Sequence, residues 1–225
     1  MKEGSIVKIL NNFLFFGYEK GIFEAVEAHQ ISEKDGVTKL NPQFEIGMIE
    51  NGGVKIDEYL QLLDENRYSA VFDNGDIISI QCRFEAGVLL GHRYIYLPCP
   101  FSEATVTSKP KHASLAEWLR DSAELEPRES FRSRGSFRFD CDREPPKSGD
   151  PHPVSHFTFS SANCRIPVRG PLQISAFLNF IFDNFFRDYR PVWLSYSSHL
   201  KLKEHEVTIT NEEANLHHFN WEPSL

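Results

Sequence analysis

Near the start of the chain the apolar positions Ile6, Leu10, Phe13 and Leu14 recur at helical spacing, while Lys8, Asn11 and Asn12 fall elsewhere on the wheel. This pattern predicts a helix capped by Ser5 and ending near Gly17. From 18 to 53 the signal weakens to one strand around Phe44–Ile49 and a turn at Asn51-Gly52-Gly53. Asp57 then caps a short helix that carries Tyr59, Leu60 and Leu63.

The middle of the chain alternates more clearly. Tyr68–Phe72, the turn Asp73-Asn74-Gly75-Asp76 and Ile77–Phe84 read as a hairpin, because Asn-Gly supplies the positive φ angles of a tight turn. Ile78, Ile80, Cys82 and Phe84 share one face of the second strand and Ser79, Gln81 and Arg83 the other, which predicts one core face and one wet face. A turn at Glu85-Ala86-Gly87 leads into Val88–Leu97 and completes a three-stranded antiparallel meander. Ser114-Leu115-Ala116-Glu117 has the form of a capping box, and Leu115, Trp118, Leu119 and Leu125 follow at roughly helical spacing.

Beyond that helix, Ser136–Asp142 alternates Phe137, Phe139 and Cys141 with Arg138, Asp140 and Asp142, which puts three charges on one strand face. Residues 143–151 form a polar, proline-rich loop that is expected to be mobile. Val154–Ser160 and Asn163–Val168 read as a second hairpin. After Gly170-Pro171, apolar residues from Leu172 to Phe186 lie nearly all round a helix, so this helix is expected at the centre of the core. A strand near Glu206–Thr210 and a short helix opened by Thr210-Asn211-Glu212-Glu213 complete the reading. The predicted class is α+β: an antiparallel sheet, meander plus later hairpin, packed on a buried phenylalanine-rich helix, in one domain spanning 1–225.

Composition supports a packed core, with 40% hydrophobic residues and 19 phenylalanines in 225 residues. A net charge of −8 argues against broad attraction to nucleic acid or to an anionic membrane. A local exception is the basic run Arg128, Arg132, Arg134 and Arg138, broken only by Glu129, which reads first as a solvated loop and otherwise as the candidate contact for nucleic acid. Cys82, Cys99, Cys141 and Cys164 include no C-x-x-C pair and read as reduced core residues of a cytoplasmic protein. The apolar opening is interrupted by Glu3, Lys8, Asn11 and Asn12, so neither a signal peptide nor a membrane span is expected.

Candidate chemistry gathers in the second half. His152 and His156 lie four apart in His-Pro-Val-Ser-His; in an extended chain their side chains stand roughly 13 Å apart, too far to share an ion unless the chain bends at Pro153. Either imidazole suits general acid or base work; equally, His156 reads as a hydrogen-bonded strand histidine and His152 as a loop residue. Arg138 and Asp140 precede them on one strand face and Arg165 follows on the next hairpin arm, so the candidate catalytic set is His152, His156, Arg165, Arg138 and Asp140. Asp140 and Asp142, two apart on a strand, are the candidate ligands of a divalent cation, or else a solvated face paired with Arg138. In Gly91-His92-Arg93, His92 faces away from its two neighbours, so at most one of His92 and Arg93 points into the core. Asp73 and Asp76 serve the hairpin turn, and His217-His218 reads as a surface pair. The signatures of P-loop, Rossmann, hydrolase-elbow and zincin chemistry do not occur.

The chain resembles the bacterial family called domain of unknown function 2290. The residues that carry the likeness are Asp73-Asn74-Gly75-Asp76, His92-Arg93-Tyr94 with Tyr96 and Pro98, Arg138-Phe139-Asp140, His152 through His156, and Cys164-Arg165-Ile166-Pro167-Val168 leading to Phe177 through Phe186. The order of parts is also similar to that of small bacterial toxins, an analogy that implies an accessory protein of defence or toxin systems. The family implies no mechanism.

Two functions compete. The first is a nuclease or related phosphodiester-acting effector in which histidines move protons, Arg138 and Arg165 stabilise charge, and Asp140 or Asp142 orients a histidine or holds a metal. The second is a non-catalytic regulator or neutralising subunit that docks on a basic protein partner. Small-ligand sensing between sheet and helix has little specific support.

Overall fold

The computed structural model describes residues 3–42, 55–125, 135–144, 152–159, 164–200 and 205–220. The expected strand at Phe44–Ile49, the turn at Asn51-Gly52-Gly53, Arg128, Arg132 and Arg134 of the basic run, and 145–151 of the polar loop lie outside these residues.

Helix α1 (Glu3–Glu19) buries Ile6, Leu10, Phe13 and Leu14, the stripe that its sequence predicts. It starts before Ser5, so that serine is an ordinary helical residue and not a cap. Strands β1 (Phe23–Val26), β2 (Gln30–Lys34) and β3 (Val37–Asn41) follow, then α2 (Ile56–Asp64). Lys55 holds the N-cap position of α2, and its backbone N–H donates to Glu58 Oε2 at 2.9 Å; Asp57, expected as the cap, lies inside the first turn.

The meander is β4 (Ala70–Phe72), β5 (Ile77–Glu85) and β6 (Val88–Leu97), close to the predicted bounds. Only half of the expected turn mechanism operates in Asp73–Asp76: Gly75 adopts φ +83, whereas the Asn74 side chain works instead by accepting from the Asp76 N–H at 3.0 Å. A Cβ at position 75 would meet Cys99 Sγ at 2.8 Å, so space as well as φ requires glycine there. At the second turn Ala86 and Gly87 both have positive φ, as a two-residue primed turn demands.

Helices α3 (Glu103–Thr107) and α4 (Leu115–Leu125) precede β7 (Phe137–Asp142), β8 (Ser155–Phe159) and β9 (Arg165–Pro167). Ser114 caps α4 at the predicted place: its Oγ accepts from the Glu117 N–H at 3.2 Å and donates to Glu117 Oε2 at 2.9 Å. Then come α5 (Ile174–Asn184), α6 (Arg190–Ser197) and α7 (Asn211–Ala214). Residues 205–210 are not a strand; Thr208 and Ile209 are held by N–H donation to the Arg169 carbonyl, and Thr208 Oγ1 by donation to Ser155 Oγ.

One antiparallel sheet runs in the order β1-β4-β5-β6-β7-β8-β9, with the β2-β3 hairpin joined to it through β3 and β5. Strand β5 therefore shares one edge between β4, at Ile77 and Ile78, and β3, from Cys82 to Glu85. At the gap the Ile80 N–H donates to Ser69 Oγ at 2.8 Å, and the His29 ring donates from Nε2 to the Ile80 carbonyl at 2.9 Å. These two side chains substitute for missing ladder bonds.

The sheet carries a core on each face. On one face Ile78, Ile80, Tyr94, Tyr96, Phe137 and Phe139 pack with α1, α5 and Trp193 of α6. Helix α5 is central, as its composition predicts, with Phe177, Leu178, Ile181 and Phe182 fully buried and Phe185 half exposed. On the other face Val71, Ile77, Ile95 and Leu97 pack under α2, α3 and α4. The expectation of one wet face on β5 is thus corrected: Ser79 is fully buried and only Gln81 and Arg83 are partly open, because three helices cover one end of that face. Its other end is polar.

Candidate functional site

The polar end follows from strand parity. Ile95 and Leu97 of β6 face the second core, so Arg93 and Gly91, two and four residues back, face the same way further along. Pairing sets Arg93 opposite Asp140 and Gly91 opposite Asp142, then Arg138 opposite Thr158 and Asp140 opposite His156, and finally Thr158 opposite Arg165. Four strands so bring Arg93, Arg138, Asp140, His156, Thr158 and Arg165 into two adjacent rows on one face. Arg83 of β5 closes the group: its guanidinium bonds Asp142 Oδ1 and Glu144 Oε2, each at 2.9 Å. Gly91 makes room for it, since a Cβ there would stand 2.7 Å from the Cys141 carbonyl and 3.0 Å from Arg83 Nη2.

Asp140 is the hub. Its Oδ1 accepts from Arg93 Nε at 2.8 Å, and its Oδ2 lies 2.5 Å from Arg138 Nε and 3.5 Å from His156 Nε2. Burial alone would push this carboxyl up, but the His156 imidazole and the Arg93 and Arg138 guanidiniums together hold it well below the usual carboxylate range. It is therefore an anion in a nearly water-free place: Arg138, Asp140 and His156 are 7%, 6% and 5% exposed.

The His156 ring is oriented from its other side, where Nδ1 donates to the Pro153 carbonyl at 2.9 Å. That contact leaves Nε2 as the nitrogen turned toward Asp140. The chain bends at Val154 before β8 begins, and the His152 and His156 rings stand perpendicular with centroids 5.5 Å apart. The separation expected for a fully extended segment is corrected accordingly. Thr158 is 4% exposed, and its Oγ1 has no hydrogen-bond partner among the described residues, a costly state for a buried hydroxyl and a reason to look for a ligand beside it.

A family model described as "Uncharacterized conserved protein (DUF2290)" matches residues 26–221. The chain belongs to this family. No curated protein and no solved structure matches the DUF2290 chain.

Of the residues that the DUF2290 sequence singles out, Arg138, Asp140, His156 and Arg165 meet on one face, and His152 stands against His156. Of the two aspartates named as candidate cation ligands, Asp140 pairs with the Arg93 and Arg138 guanidiniums and Asp142 with Arg83. Among the described residues no three His, Cys, Asp or Glu side chains converge as metal ligands do. His92 points to the core side: its Nε2 accepts from the Leu172 N–H at 2.9 Å, its ring stacks on Tyr94 at 4.2 Å, and burial lowers it to about 3. His217 and His218 are exposed, and the four cysteines are free thiols. Asp76 does more than turn chemistry, accepting from the Tyr96 hydroxyl at 2.5 Å and the Cys99 N–H at 2.7 Å in a fully buried site. No helix among the described residues is long and apolar enough to cross a membrane.

Sequence reasoning missed Arg83, Arg93 and Thr158 as members of this group. Their parity is legible, since each sits on the polar phase of its strand. What is not legible is that β6 lies beside β7, the adjacency that turns Arg93 toward Asp140.

Proposed function

We propose that this polar sheet face acts on the phosphodiester backbone of a nucleic acid. The observation that supports the reading is the convergence of an oriented imidazole, a buried carboxylate, guanidinium groups and one unpartnered hydroxyl at adjoining strand positions. The work divides among them: His156 moves a proton, Asp140 orients the ring and stabilises its charged form, and Arg138, Arg165 and Thr158 meet the negative oxygens of the phosphate. Local charge suits the substrate even though the chain carries −8, since Arg83, Arg93, Arg138 and Arg165 outnumber Asp140, Asp142 and Glu144. The setting that goes with this activity is a bacterial defence or toxin effector.

Incubation of purified protein with labelled RNA and DNA, with Mg²⁺, with Mn²⁺ and without either, tests the proposal. Cleavage that His156→Ala reduces by about 100-fold or more is expected for loss of a proton-transfer group. An uncut panel, or an unchanged variant, contradicts it.

A second reading has a specific observation behind it. Arg138 and Asp140 pair with each other at less than a tenth exposure, as in a bracket that fixes strand register. The chain would then be a non-catalytic subunit that docks on a basic protein. A stoichiometric partner co-purifying from the native host, together with inert Arg138 and His156 variants, would favour it.

A further inference from the structure

We infer that the group this face binds is a terminal phosphate, the monoester at the end of a strand, and not an internal link, so that nucleic acid is taken by its end. The inference rests on the phosphate contacts of the reading above and narrows them. It starts from one cross-strand row, in which Arg138 of β7 stands opposite Thr158 of β8 and Thr158 stands opposite Arg165 of β9. Neighbouring strands lie roughly 4.8 Å apart, so two guanidiniums flank one hydroxyl. At that spacing they repel each other, and a single small anion over the middle strand meets both. The next row adds Arg93, Asp140 and His156, so three guanidiniums across the two rows face one carboxylate.

Thr158 is the second, independent observation. Its side chain is 4% exposed and its Oγ1 has no hydrogen-bond partner among the described residues. A valine of the same shape would strand no polar atom there, whereas the hydroxyl gains a partner as soon as an acceptor enters the row. Phosphate oxygens accept from hydroxyls and from guanidiniums. Arg138 is already fixed for such a contact: Asp140 Oδ2 lies 2.5 Å from its Nε, and the fork carries four further N–H donors on its Nη atoms. Asp140 is a positioning residue in this arrangement.

Burial decides between the two kinds of phosphate. Arg138 and Thr158 are 7% and 4% exposed, and Arg165, at the start of the last strand of the sheet, is half-buried. The row is therefore approached from its Arg165 end. An internal phosphodiester carries a nucleoside on each side, and both would have to enter this covered place with it. A terminal phosphate enters alone, with three unattached oxygens leading. Its charge suits the row as well, since a monoester carries close to two negative charges at neutral pH and an internal link carries one.

The test measures binding of the whole protein, in excess EDTA, to one short single strand made as RNA and as DNA, each with a 5′-phosphate, with a 3′-phosphate and with hydroxyls at both ends. Inorganic phosphate, against potassium chloride of equal ionic strength, serves as competitor and as ligand in melting curves. One phosphorylated form should bind at least about 10-fold more tightly than the hydroxyl form, and inorganic phosphate should remove the difference. Thr158→Val should leave the melting temperature of the free protein unchanged or raised and abolish the preference; Arg165→Gln, at a half-buried position, should weaken it. Equal binding of all forms, or a preference that both variants retain, overturns this inference, and cleavage of nucleic acid would still uphold the phosphodiester reading. A melting rise with inorganic phosphate that Thr158→Val abolishes, with no strand bound, upholds the monoester site and removes nucleic acid as its source. If no strand binds and phosphate raises no melting curve, the site itself falls.

Discussion

Burial keeps the His29 ring uncharged down to about 4 and the His92 ring down to about 3, while both titrate near ~6.5 once the chain unfolds. Above that value neither state binds the proton and these residues add no pH dependence. Below it the unfolded chain takes up protons that the folded chain refuses, so stability falls by about 1.4 kcal/mol per pH unit for each histidine. The fall continues through about 4 for His29 and about 3 for His92. Asp140 acts in a lower window: its folded carboxyl is held down by His156, Arg93 and Arg138 against burial, so its contribution is intact above the unfolded carboxyl range and lost only in stronger acid. Urea unfolding between pH 8 and pH 4 should be level at first and then steepen below 6.5; a level curve down to 4.5 would contradict the burial of both rings. The two aspartates of β7 give a second contrast. Asp140→Asn leaves Arg138 charged in a site 7% exposed and should cost ~3–5 kcal/mol, whereas Asp142→Asn breaks a pair that is 43% and 30% exposed and should cost ~0–1 kcal/mol, measured by the same unfolding curves. Single residues were legible as chemistry in the sequence; their partners across strands were not.

Elements with a strong local signal match their sequence, and those without one do not. Strands β4 to β6 are bounded by Asp-Asn-Gly-Asp and Glu-Ala-Gly, which interrupt a clear alternation, and α4 carries a serine cap bonded to Glu117. Strand β2, by contrast, reads Gln-Ile-Ser-Glu-Lys and is exposed at every position, so it has no apolar period to detect; it exists because β3 pairs with it. The tail at 206–210 alternates like a strand but is tied down by Arg169 and Ser155 rather than by a ladder. Turn and helix each yield a prediction. Gly75→Ala should lose ~1–2 kcal/mol to left-handed backbone alone and more from the clash with Cys99, seen as a lower urea midpoint. Phe177→Ala in α5, at full burial beside Tyr94 and Phe139, should cost ~3–5 kcal/mol in the same assay.

At the scale of the whole molecule, the antiparallel sheet uses its two faces differently. One is apolar over most of its length under α1, α5 and α6, with His92 buried near one end; the other is apolar under α2, α3 and α4 and polar beyond them. A sequence shows the alternation that makes two faces, but the order of strands decides which polar residues become neighbours. Here that order draws His156, Asp140, Arg138 and Thr158 together from β7 and β8 and adds Arg93 from β6. The most direct measurement is the histidine side-chain NMR spectrum during titration with a short single-stranded oligonucleotide in excess EDTA. The His152 and His156 ring signals should shift saturably while those of His29 and His92, buried in other surroundings, stay fixed. Unmoved signals at His152 and His156, or equal small shifts at all the histidines, would contradict a nucleic-acid site on this face.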